Sequence, residues 1–126
     1  HHDYFEHEPA PVVDLLTRAM TVALGTASLA SNDTLSMLDE MRHLARHADY
    51  TISDEEVLRM GTLYGARALG IEDEVGVIAP GMQADLTAIA IPHNTDESRV
   101  PAAILHDEGA AVFAMVAGRA IYDATT

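Results

Sequence analysis

Cysteine, lysine and tryptophan are absent from this 126-residue chain, and aromatics are scarce, at two Phe and four Tyr. The missing cysteine excludes disulfides and thiolate metal sites. The missing lysine leaves seven arginines as the only permanently basic side chains against 20 carboxylates, for a net charge of −13 and a pI near 4.6. Such a surface repels phosphate backbones and anionic lipid, so neither a nucleic acid nor a membrane is an expected partner. No apolar run reaches the ~18 residues of a membrane-spanning helix. No basic segment followed by an apolar one opens the chain as a secretory signal would, and the cytoplasm is the expected compartment. An initiator Met is missing too: the chain opens His1-His2-Asp3, as a mid-gene start or a tag residue at His1 would. Hydrophobic residues make up 48%, enough for one domain of ordinary size with an aliphatic, Met-rich core.

What is present is patterned. Pro9 and Pro11 punctuate an opening loop, and Pro11 suits a first helical turn. Val12, Val13, Leu15, Leu16 and Ala19 predict a helix over about 11–19. Thr21-Val22-Ala23-Leu24 is a short apolar run stopped by Gly25, which reads as a buried strand of the parallel type. In Ser31-Asn32-Asp33-Thr34, Asn32 or Asp33 can cap the free amides of a helix over about 34–48, whose apolar face is Leu35, Leu38, Met41 and Ala45. Ser53 and Glu56 form a capping box. Val57, Met60, Tyr64 and Ala68 then line one face of a helix over about 54–69, with Gly70 in the C′ position. Gly61 and Gly65 each weaken that helix by ~1 kcal/mol, a cost that close packing against another backbone would offset. Beyond Gly70 the pattern changes to short strands. Pro80-Gly81 is a turn, residues 85–91 a strand, 92–99 a polar loop and 102–105 a short strand. Ala111 to Val116 and Arg119 to Tyr122 form a hairpin joined at Ala117-Gly118.

Seven histidines raise the question of metal. His43 and His47 are at i, i+4 on one helix face, and Asp39 lies one turn earlier, a two- or three-point ligand geometry. The competing reading is a solvated face on which Asp39 and His43 pair. His1, His2 and His7 are close enough to take up a metal adventitiously, whereas His93 and His106 stand alone in polar surroundings. Gly61-x-x-x-Gly65 has the spacing of membrane helix dimers, but Arg59 and Arg67 flank it and favour close packing in a soluble core. Asp54-Glu55-Glu56 suits a helix N-terminus, and Glu72-Asp73-Glu74 a charged turn. The six methionines read as core or interface filler.

Met60-Gly61-Thr62-Leu63-Tyr64-Gly65-Ala66-Arg67-Ala68-Leu69-Gly70, then Val75-Gly76-Val77-Ile78-Ala79-Pro80-Gly81 and Ala84-Asp85-Leu86-Thr87, resembles the helix-to-sandwich join of the metal-dependent amidohydrolases. The resemblance covers about Tyr4 to Asp123. Gly25-Thr26-Ala27-Ser28 falls where that family carries Gly-Thr-Asp-Ser, and the stretch to Asn32 is most similar to the branch of deaminases acting on adenosine- or futalosine-like compounds and of chlorotriazine hydrolases. The implied fold is α/β or α+β, the C-terminal fragment of a (β/α)8 barrel with part of its small β-sandwich. Residues 1–70 would be barrel-derived (helix, eighth strand, two helices) and 71–126 sandwich-derived.

The family chemistry is hydrolytic and uses zinc or iron to make hydroxide from bound water. The resemblance puts the metal-binding, proton-moving carboxylate at position 27, where alanine has neither a lone pair nor a titratable proton. The first strand's His-x-His pair would lie upstream of residue 1. Ser28, Asn32 and His2 match substrate-side positions, and Ala19 and Met20 stand where the family often prefers glycine and valine. The expectations are a chain inactive alone, with no cofactor of its own. A partner would cover its barrel-facing surfaces and open strand edges: either further copies in a homo-oligomer or the missing barrel segment. A non-catalytic self-associating scaffold or interaction module is the alternative.

Overall fold

The computed structural model describes residues 10–30, 33–47 and 52–125, with His47 described in its backbone alone. Among the described residues, five helices precede or interrupt three strands. The helices are α1 (Val12–Thr17), α2 (Met37–His47), α3 (Asp54–Met60), α4 (Leu63–Leu69) and α5 (Val100–His106); the strands are β1 (Leu86–Ile89), β2 (Ala111–Val116) and β3 (Arg119–Asp123). A short 3-10 turn, Glu97–Arg99, leads into α5. None of the helices is long and apolar enough to cross a membrane, among the described residues.

The core belongs to the helices. Val12 of α1, Met41 and Leu44 of α2, Val57 and Met60 of α3, and Leu105 of α5 form one buried cluster. Met60 and Leu105 are fully buried, and burying such a side chain contributes ~1.5–3 kcal/mol. Of the six methionines, Met41 and Met60 fill this core, whereas Met20 is half exposed.

Capping chemistry sets the N-terminal ends of α2 and α3 and the C-terminal ends of α1 and α4. Ser53 accepts the Glu56 amide at 3.2 Å, but Glu56 does not turn back to complete the box. Its carboxylate takes the Tyr64 hydroxyl, at 3.0 and 3.2 Å from its two oxygens. α2 starts later than the sequence predicts, because Ser36 is the residue whose hydroxyl accepts the Asp39 amide, at 3.2 Å. Gly70 ends α4 with φ 70°. The Gly70 amide donates to the Arg67 carbonyl and the Ile71 amide to that of Ala66, both at 3.0 Å, the paired bonds of a Schellman motif. α1 ends in the same motif. Ala19 donates to Leu16 at 3.0 Å and Met20 to Leu15 at 3.1 Å. There the left-handed residue is Ala19, at φ 57°.

Four expectations need correction. Residues 21–24 are not a strand: among the described residues no strand lies beside them, and a strand exists only through its ladder. Val22 and Leu24 do pack against the core as half-buried side chains. The helix expected over 54–69 breaks into α3 and α4 at Gly61-Thr62. At Gly61 an added Cβ would come within 2.8 Å of Met41 Cγ, so the close packing is against a side chain of α2. Gly65 has open space around it, and Ala68, displaced by the break, is exposed while Ala66 is buried. Residues 102–105 form part of α5, not a strand. Pro101 opens that helix, and Ala103 and Leu105 are buried. A four-residue apolar run does not by itself distinguish the two states. His106 is not isolated either: its Nε2 lies 2.9 Å from Asp54 Oδ1, tying α5 to α3.

β1, β2 and β3 make one antiparallel sheet in that order. The hairpin between β2 and β3 turns at Ala117 (φ 50°) and Gly118 (φ 76°), the two positive φ values of a type I′ turn. Asp85 anchors it. Its Oδ1 accepts the Ala117 amide at 2.7 Å and Gln83 Nε2 at 2.9 Å, and the Gly118 amide donates to the Ala84 carbonyl at 2.9 Å. No residue of the three strands is buried. Mixed helix and strand content is as expected, with every strand pair antiparallel.

Two outcomes follow. In chemical denaturation Ala19→Gly is expected to stabilise by about 0.5–1 kcal/mol, and Gly70→Ala to destabilise by about 1 kcal/mol, because one motif holds each residue in the same left-handed conformation. For Asp85 the Ala117 amide, and then the Gln83 side chain, hold the carboxyl below its usual range. A depressed folded-state pKa contributes stability above the unfolded value and loses it as pH falls through the folded one. Between about pH 4 and pH 2, Asp85→Asn should therefore lose less stability than the parent chain, measured as urea midpoints against pH.

Candidate functional site

The Gly25-Thr26-Ala27-Ser28 loop is held from its upstream side by the break between α3 and α4. In an unbroken helix the Met60 carbonyl would accept the amide four residues on. Gly61 and Thr62 leave the helix, so the Met60 carbonyl instead accepts the Leu24 amide at 3.1 Å. The Thr62 hydroxyl satisfies the Leu58 carbonyl at 2.8 Å. Directly after Leu24 the chain emerges from the core: Thr26 is half-buried, whereas Gly25, Ala27 and Ser28 are exposed.

Ala27 has φ 57°. Left-handed backbone costs a non-glycine residue roughly 1–2 kcal/mol, and Asn and Asp are the side chains that visit it most readily, by bonding locally. Ala19 and Ala27, where the sequence resemblance leads one to expect glycine and aspartate, are both left-handed. Glycine suits such a conformation at the first, and aspartate or glycine at the second. Ser28 brings one hydroxyl, donor and acceptor, to the exposed face. His2 and Asn32 lie outside the described residues.

The α2 histidine face is a separate place. Asp39, Arg42, His43, Arg46 and Glu108 line an open depression of about 310 Å³. Asp39 and His43 are both exposed on its wall. Asp39 Oδ2 accepts the Thr34 hydroxyl at 3.1 Å. Arg46 pairs with Glu108 at 2.9 Å, and Arg42 donates to the Ile104 and Gly109 carbonyls at 3.0 and 2.6 Å. Two guanidinium groups offset the two carboxylates there, Asp39 and Glu108, and Arg46 already pairs with Glu108, so no excess negative charge is left to draw a cation. The His47 side chain lies outside the described residues. Among the described residues no three His, Asp or Glu side chains converge. The described donors, with a methyl group at position 27, do not fit a catalytic metal.

Sequence reasoning missed Arg42 and the Leu24–Met60 bond. Neither leaves a local pattern: the Arg42 acceptors lie 62 and 67 residues away. Gly61 was the available signal for the second, since a glycine inside a helical pattern marks a break or a close approach.

The family model described as Amidohydrolase family matches residues 2–121. The chain is 39% identical over 104 residues to a 5-methylthioadenosine/S-adenosylhomocysteine deaminase of Desulfitobacterium hafniense, covering 77% of this chain and 24% of that protein. It is 32% identical over 90 residues to an S-triazine hydrolase of Gordonia rubripertincta, covering 67% and 19%. Among solved structures, it is similar to an adenosine deaminase from Xanthomonas campestris with bound zinc, at a TM-score of 0.86 and 27% identity, covering 97% of this chain and 30% of that one. The chain therefore spans about a quarter of the length of the curated relatives it matches.

The strain at position 27 is measurable without any ligand. Ala27→Gly is expected to gain about 0.5–1 kcal/mol, and Ala27→Asp to unfold at a temperature no lower than the parent chain, by calorimetry. A clear loss in both would mean that the left-handed conformation at 27 is not held in solution.

Proposed function

Because the chain belongs to the amidohydrolase family, we propose that it is the C-terminal segment of a deaminase-like hydrolase acting on non-peptide C–N bonds, and that it does not turn over substrate alone. Residues 1–70 would come from the last βα unit of the barrel and 71–126 from the β-sandwich. The observation that carries the reading is Ala27, a methyl group on exposed left-handed backbone, at the position where by resemblance the family carries a carboxylate. The length relation supports it, since the match takes up only 24% of the deaminase relative, which holds the remaining parts.

The names of the relatives suggest adenosine-type nucleosides as the parent's substrate class, with s-triazines as the next choice. When bound in the full-length family, the metal supplies a hydroxide at neutral pH; the described donors of this segment do not fit it. This segment would contribute the Ser28 hydroxyl, and by resemblance Asn32 and His2, to the substrate side. Its expected setting is cytoplasmic, without nucleic acid or membrane, consistent with the net charge of −13. Its partner is a second copy or the missing barrel segment.

A second reading is a non-catalytic self-associating scaffold. Exposed apolar side chains favour it: Leu69 is 75% exposed, Ile78 90% and Ile121 65%. Such a set is what an interface leaves uncovered.

One experiment separates the two. Ammonia release from 5′-methylthioadenosine is measured for the chain alone, for the chain mixed with the upstream three-quarters of the Desulfitobacterium relative, and for Ala27→Asp in the same mixture. No turnover is expected from the first two. The third should gain on the order of 10²–10⁴-fold over background, the usual size of an acid–base contribution. Turnover by the chain alone would overturn the hydrolase-segment reading as stated, and no gain from Ala27→Asp would favour the scaffold.

A further inference from the structure

We propose that Thr62 is a positioning residue for the Gly25-Thr26-Ala27-Ser28 loop: its hydroxyl, donated backward to the Leu58 carbonyl, fixes the helix break that hands the Met60 carbonyl to Leu24. The functional meaning of that loop rests on the hydrolase-segment reading, which this assignment deepens.

Thr62 stands at the N-cap of α4, yet its hydroxyl serves the helix before it. A threonine at an N-cap ordinarily accepts an amide from the first turn of the helix it opens. Thr62 makes no such bond. Its carbonyl does open α4, accepting the Ala66 amide at 3.0 Å. The hydroxyl instead donates at 2.8 Å to Leu58, in the last turn of α3. The cap bond is forgone, so starting α4 does not account for the direction of this side chain.

The backbone bonds around it do. In a continuing helix the Leu58 carbonyl would accept the Thr62 amide, and the Met60 carbonyl the Tyr64 amide. Both carbonyls are diverted. The Thr62 amide donates to Arg59 at 3.2 Å, one residue short of the α-helical acceptor. The hydroxyl takes its place at the Leu58 carbonyl, which also accepts the Gly61 amide at 3.2 Å. With Thr62 at φ −132° and ψ −91°, the chain leaves the helical path. The Met60 carbonyl then accepts Leu24 at 3.1 Å. Leu24 lies three residues before position 27, so a shift of its anchor is carried directly into the left-handed turn.

The test compares Thr62→Val, which keeps the branched shape and removes the hydroxyl, with Thr62→Ser, which keeps the hydroxyl. Thr62 is exposed, so valine disturbs no packing there. Amide hydrogen exchange followed by NMR reads Leu24. Thr62→Val should cut Leu24 protection at least tenfold while the amides of α2 and β2 keep theirs, and Thr62→Ser should retain it. Unchanged Leu24 protection in Thr62→Val would mean that Met41 against Gly61 holds the break unaided, and overturns the proposal. An equal loss at every amide, or a loss that serine does not rescue, overturns it too. Should Thr62→Val fail to fold, the parent chain decides: the Leu24 and Thr62 amides should share one opening equilibrium across temperature, and independent opening sinks the assignment. In the mixture carrying Ala27→Asp, Thr62→Val should lower kcat about tenfold or more, as misplacing a reacting group does, with rescue by Thr62→Ser. Turnover insensitive to Thr62→Val counts against positioning. A mixture with no turnover at all counts against the hydrolase segment instead, and Leu24 exchange then decides the positioning role by itself.

Discussion

The arrangement depends most on one cation. Arg42 projects from α2 and donates Nε to the Ile104 carbonyl and a terminal nitrogen to that of Gly109. Ile104 lies in the last turn of α5, whose carbonyls have no helical partner and carry the negative end of the dipole. Gly109 lies where the chain leaves α5 for β2, against the Ala90 carbonyl, with no room for a Cβ. One planar fork thus holds α2, the end of α5 and the start of the sheet together. Lysine, a single point charge, would not span two carbonyls with fixed geometry. In a chain without lysine, that constraint falls on an arginine.

Much of this was legible because it is local. The Ser53 cap, the Gly70 C′ turn, the Pro80-Gly81 turn and the Ala117-Gly118 hairpin each rest on a few neighbouring residues whose preferences agree with the fold. What was not legible depends on distant contacts. Residues 21–24 have the composition of a buried strand, yet a ladder needs a neighbour that composition cannot supply. Ala102 to Leu105 became helical because α2 and α3 offered a groove for Ala103 and Leu105. Of the candidate site, the Gly-Thr-x-Ser loop was found by resemblance, while the bond that fixes it, from Leu24 to Met60, is 36 residues long in sequence and has no motif.

The helix break links these levels. Gly61 costs helix propensity, and a continuous helix over 54–69 would avoid that cost. The break returns two things. It lets Met41 pack where a Cβ would stand, and it frees the Met60 carbonyl for Leu24. A residue that looks unfavourable on propensity alone is placed where core packing and the site loop meet.

The same logic bears on position 27. The loop is held by groups other than its own side chain: the Leu24 amide bond, and Val22 and Leu24 against the core. A backbone fixed in this way keeps its left-handed turn with a methyl group at 27, although that residue gains nothing from the conformation. Ala19 is in the same position, held by the two bonds of its helix-ending motif. Where the scaffold over-determines the backbone, strain persists after the side chain suited to it is absent. Of the three left-handed alanines among the described residues, Ala117 belongs to the type I′ hairpin turn, while Ala19 and Ala27 fall, by resemblance, where the family carries glycine and aspartate.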